Sequence, residues 1–152
     1  MPRRRFRLQS ILRIRGLIED MRKREWGVIQ TELAHEQQAK RELLETAEQH
    51  RRHFEQDAQQ GVSGHQIELI SQYLNAVRGR AKAADRRIAA TEKRLAEKLQ
   101  QVLAATRDRK AMDILRQRFI ERRDYEERRE EEKNVTEIAL NRFTRGEGEQ
   151  SE

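Results

Sequence analysis

From Ile67 onward the chain places a seam at steps that alternate three and four. It runs Ile67, Ile70, Leu74, Val77, Ala81, Ala84, Ile88, Thr91, Leu95, Lys98, Val102, Ala105, Arg109, Met112, Arg116 and Phe119, and twelve of these sixteen positions are apolar. A free helix with 3.6 residues per turn drifts out of phase with such a spacing, whereas a coiled-coil helix holds it. The spacing therefore predicts a long helix with a partner helix along its length. The first segment is less regular. Ile11, Ile14, Ile18, Met21 and Val28 form one row, and Leu33, Leu44, Ala47, Phe54 and Ala58 form a shifted one, which implies a phase change near residues 28 to 33.

Between the segments stands Gly61-Val62-Ser63-Gly64, which reads as a turn. Ser63 lies three residues before Gln66, a spacing at which each side chain can satisfy the other's backbone N–H. Gly16, Gly27 and Gly79 fall inside helical patterns; a cost of about 1 kcal/mol each leaves those helices continuous. The predicted fold is all-α, a long antiparallel two-helix coiled-coil hairpin. Helix one covers about 4–60, the turn 61–64 and helix two about 64–143, a single hairpin over 1–143, and 144–152 is expected to be a flexible tail. A turn centred between residues 62 and 63 pairs positions whose numbers sum to about 125, bringing Phe54 near Ser71 and Arg4 near Glu121.

Composition narrows the alternatives. Ala, Glu, Lys, Leu and Arg make up 82 of 152 residues, the alphabet of long helices. Ile, Leu, Val and Phe number 32, enough to line a seam and too few to fill a layered sheet fold. The one proline is Pro2, so nothing after it forbids a helix. The lack of cysteine fits a reducing compartment, and no apolar run approaches the roughly 18 residues of a membrane span. A cytoplasmic location is expected. The net charge of +6 is sorted into blocks: +7 over residues 1–24, −5 over 25–77, +9 over 78–123 and −5 over 124–152. Such blocks suit electrostatic encounters with partners.

Catalytic chemistry finds little footing. Glu32 and His35 form one Glu-x-x-His pair, where a di-metal bundle needs two pairs and two further glutamates; His50 and His53 read as helix surface. No Gly-rich phosphate loop, nucleophile elbow or cysteine is present, and a two-helix architecture offers no concave pocket of a few hundred Å³. No enzyme activity, cofactor or metal is expected. Nucleic acid could draw on Arg3, Arg4, Arg5, Arg7, Arg13 and Arg15, or on Arg78, Arg80, Lys82, Arg86 and Arg87. The second set is spread over several faces without stacking aromatics, so no nucleic-acid partner is expected. Residues 3–18 could also form an amphipathic membrane-surface helix, but one strand of the coiled coil is the favoured reading.

The opening Phe6-Arg7-Leu8-Gln9-Ser10-Ile11-Leu12-Arg13-Ile14-Arg15 resembles the start of the FliJ family of flagellar export proteins. Gly61-Val62-Ser63 with Tyr73-Leu74 is similar to that family's turn and second-helix start, and Arg107, Arg109, Lys110, Met112 and Leu115 to a later stretch. Tyr125, Arg129, Glu130, Lys133, Glu137, Ile138, Ala139, Arg142 and Phe143 resemble its closing pattern, with Thr136 in place of the usual aspartate. The YscO-like injectisome family is the nearest competitor. The resemblance implies a non-enzymatic, stalk-like coiled coil of the flagellar type III export apparatus, held peripherally at the inner face of the cell membrane. Its implied partners are the hexameric export ATPase, the membrane export gate and export chaperones. Arg4, Arg7, Arg13, Arg15, Tyr125, Arg129 and Arg142 are then candidates for the ATPase ring, and Tyr73, Val77 and Ala84 for the gate.

Overall fold

The computed structural model describes residues 5–148. Two helices account for nearly all of them, α1 (Gln9–Ala58) and α2 (Gly64–Gly148), and no strand occurs among the described residues. The fold is an all-α helical hairpin.

The turn forms as its residues dictate. Successive N–H groups of Gln59, Gln60 and Gly61 donate to the carbonyls of Gln56, Asp57 and Ala58, tightening the end of α1. Gly61 then takes φ = +100°, a conformation that side chains with a Cβ rarely adopt. Ser63 caps α2. The Gln66 N–H donates to Ser63 Oγ at 3.2 Å, and the Ser63 N–H donates to Gln66 Oε1 at 2.8 Å, the reciprocal pair expected from the spacing.

The helices pack in two units, Ile18–Ala105 and Met1–Leu17 with Thr106–Glu152. In the larger unit, α2 buries the seam read from the sequence. Val77, Ala84, Thr91, Val102 and Ala105 are buried, and Ile70, Leu74, Ala81, Ile88, Leu95 and Lys98 are half-buried. Ile67, the first seam position, is exposed. Cross-helix ion pairs join Glu25 to Lys98 (2.9 Å), Glu32 to Arg94 (3.0 Å) and Lys40 to Asp85. Residue numbers in these pairs sum to between 123 and 126, close to the antiparallel register expected.

Along α1 the outcome differs from expectation. Leu12, Glu19, Ile29 and Ala47 are buried and Arg22, Trp26, Leu33, Glu36, Lys40, Leu43 and Phe54 half-buried, a row that keeps a single register with no phase change; Gly16, Ile18, Glu25, Gly27, Glu32 and Glu48 are half-buried beside it. Ile11, Ile14, Met21, Val28 and Leu44 instead lie exposed, as does Ala58. Charged residues at seam positions explain the discrepancy. Arg22 Nη1 donates to Gln101 Oε1 across the helices, Lys40 reaches Asp85, and buried Glu19 pairs with Lys23 at 2.7 Å. Long side chains can cover a seam with their stems while their heads find partners.

In the smaller unit Leu12 is buried, Arg15 Nη1 meets Asp108 Oδ2 at 3.0 Å, and Phe6 packs on Phe119. From Glu127 to Arg145 every α2 residue is exposed. The helix nevertheless continues through Thr144 to Gly148, past the end expected at Phe143; the stretch read as tail is helical as far as it is described. Gly146 costs a helix too little to stop it, and Thr144 Oγ1 donates back to the Leu140 carbonyl.

Candidate partner-binding surfaces

Of the residues assigned to a ring contact, Arg4 lies outside the described residues. The others are in the smaller unit and exposed. Arg7 and Arg13 have no ion pair among the described residues, whereas Arg15 is engaged with Asp108. The Phe6 and Phe119 rings meet at a centroid distance of 5.6 Å and an interplanar angle of 46°. They floor an open hollow of about 610 Å³ rimmed by Arg5, Arg116 and Arg123. Arg123 is held by Asp124 at 2.7 Å, which raises its pKa further above the usual guanidinium value. The rim is thus mostly cationic over an apolar floor. Further along α2, Tyr125, Arg129 and Arg142 stand on the exposed stretch, with Arg129 in a shallow cleft beside Glu132, Lys133, Thr136 and Glu137.

The three residues assigned to the gate are not equally accessible. Val77 and Ala84 are 4% and 6% exposed and belong to the helix seam; only Tyr73 is half-buried and reachable. Tyr73 meets the edge of His50 across the helices, with ring centroids 5.3 Å apart at 81°. With Phe54, Val62, Leu69 and Ile70 these rings line an open hollow of about 350 Å³ beside the turn, so the expectation that no such concavity exists does not hold. His50 is exposed, as the sequence suggests, and the antiparallel register also sets its ring against Tyr73.

His53 and Asp57 lie 3.5 Å apart on one exposed face of α1 and line the turn-side hollow with Tyr73. Among the described residues no group of three His, Cys, Asp or Glu side chains is arranged to hold a metal ion. No described helix is long and apolar enough to cross a membrane.

The family model described as "Flagellar FliJ protein" matches residues 4–148, nearly the whole chain. The chain belongs to the FliJ family. FliJ proteins are components of the flagellar export apparatus, and that assignment carries to this chain with the all-α hairpin. No curated protein and no solved structure matches it.

Proposed function

We propose that this FliJ protein is a non-enzymatic, stalk-like element of the export apparatus that binds the hexameric export ATPase and couples it to the membrane export gate. Exposed Arg7 and Arg13, without an ion pair among the described residues and with Arg7 beside the Phe6 and Phe119 rings, are the observation that carries the ring contact. Exposed guanidinium groups with no internal partner offer attraction that falls with salt, suited to a contact that shifts between equivalent subunits. Tyr125, Arg129 and Arg142 extend this surface along α2, and Arg4 and Arg15 adjoin it in sequence.

Tyr73 supplies the gate contact from the larger unit, with His50 and Phe54 beside it. Val77 and Ala84 serve it from beneath by fixing the helix seam. Export chaperones are further partners in this reading, and the protein works in the cytoplasm at the inner face of the membrane.

A pull-down of the matching export ATPase at low salt tests the ring contact. Wild-type protein retains the ATPase, and the Arg7→Glu/Arg13→Glu variant loses most of it. Equal retention by both would refute the assigned surface.

A further inference from the structure

The hollow over Phe6 and Phe119 has no acidic residue among its described lining. Phe6, Phe119 and Ile120, all half-buried, form its floor, and Arg5, Gln9, Arg116 and Arg123 stand around them. Arg7 and Leu8 continue the lining around the same two rings. Nearby carboxylates do not offset this charge. No Asp or Glu precedes Glu19 in the chain, so the α1 side supplies none. Every acid on α2 from Arg109 to Glu127 is already engaged: Asp113 with Arg109, Glu121 with the Gln117 amide, Asp124 and Glu127 with Arg123, and Glu126 with Arg122. Arg5, Arg7 and Arg116 are exposed and make no ion pair among the described residues.

We propose that this hollow docks a protein segment presenting one apolar side chain flanked by carboxylates. The floor favours an apolar group and the rim favours carboxylates beside it, so a wholly apolar or a wholly acidic surface satisfies only half of the site. A protruding side chain reaches a floor recessed below exposed arginines, whereas a flat bilayer surface does not, which favours a peptide over anionic lipid. The segment ahead of α1 supplies Phe6 and α2 supplies Phe119, so the floor exists only while the two are packed together. A bound segment therefore also stabilises that packing. Assigning the segment to the export ATPase rests on the ring reading above; the chemistry of the hollow does not.

Isothermal titration calorimetry of the full chain with the peptide Glu-Asp-Phe-Asp-Glu tests the site without the ATPase, so its failure and that of the ring reading are separate results. The expected dissociation constant at low salt is about 100 μM or tighter, weakening as salt rises. Ser-Ser-Phe-Ser-Ser and Glu-Asp-Gly-Asp-Glu should each bind about tenfold or more weakly, since each lacks one half of the chemistry. Arg5→Glu/Arg116→Glu should lose about tenfold or more in affinity for the first peptide with unchanged helical circular dichroism. Arg86→Glu/Arg87→Glu, exposed in the larger unit, should bind it as wild type does. No binding of the first peptide at about 1 mM would overturn the proposal. Equal binding of the glycine peptide, or equal binding by Arg5→Glu/Arg116→Glu, would overturn it by showing diffuse attraction. Flotation with phosphatidylglycerol vesicles that Arg5→Glu/Arg116→Glu abolishes, in place of peptide binding, would also overturn it and assign the hollow to lipid.

Discussion

Phe6, ahead of α1, and Phe119 on α2 pack with ring centroids 5.6 Å apart, a contact between residues 113 positions apart in the chain. Their numbers sum to 125, the value the turn alone predicts for antiparallel partners. Truncating either ring to alanine should cost about 1–3 kcal/mol, since both rings are half-buried. A double-mutant cycle by urea unfolding should show coupling of about 0.5–1.5 kcal/mol. Additive losses would mean the rings contribute separately.

What could be read from the chain follows from where its charges sit. The α2 seam was legible because apolar residues occupy it almost unbroken from Ile70 to Ala105, with Thr91 and Lys98 the exceptions. The cap was legible because Ser63 and Gln66 act through local spacing. The α1 seam was not, because Glu19, Arg22, Glu36 and Lys40 hold seam positions while Ile11, Ile14, Met21 and Val28 face outward. An apolar count favours the wrong row there, and only the partner helix shows which row is covered. Tyr73 stands out in the sequence only through its resemblance, and its contact with His50 of the other helix needed the register. Val77 and Ala84 show the converse: a motif position can be a packing position.

The turn makes a separate prediction. Space for a methyl group at Gly61 is open, so Gly61→Ala should lose about 1–2 kcal/mol through backbone strain alone. Ser63→Ala should lose about 1 kcal/mol by uncapping α2. Urea midpoints measure both, and an unchanged midpoint for Gly61→Ala would show that the turn relaxes.

Acid should weaken the pairing of the helices. The Glu25 carboxyl is held below its ordinary 4.5, first by the hydrogen bond from Lys98 and then by that from Arg22. A lowered folded-state pKa gives stability that is present above the unfolded value and lost as pH falls through the folded one. The melting temperature should therefore drop as pH falls below 4.5, and Glu25→Gln should drop less over the same interval. Glu48, lowered to about 2 first by Arg51 and then by Arg52, adds a second loss at lower pH that Glu25→Gln leaves in place. Parallel curves for wild type and Glu25→Gln would contradict the assignment.

Glu36 is a seam residue whose Oε2 is buried without a hydrogen-bond partner among the described residues. Replacing it with leucine removes an uncompensated polar atom, which costs about 1–3 kcal/mol when buried. Glu36→Leu should raise the unfolding midpoint; a lowered midpoint would show that the carboxylate is satisfied in solution.

Steady-state ATP turnover by the matching export ATPase, titrated with this chain, tests the central claim most directly. Wild-type protein and Tyr73→Ala should raise turnover alike, since Tyr73 is assigned to the gate, and Arg7→Glu/Arg13→Glu should raise it little or not at all. No stimulation by wild-type protein, or full stimulation by the charge-reversed variant, would contradict it.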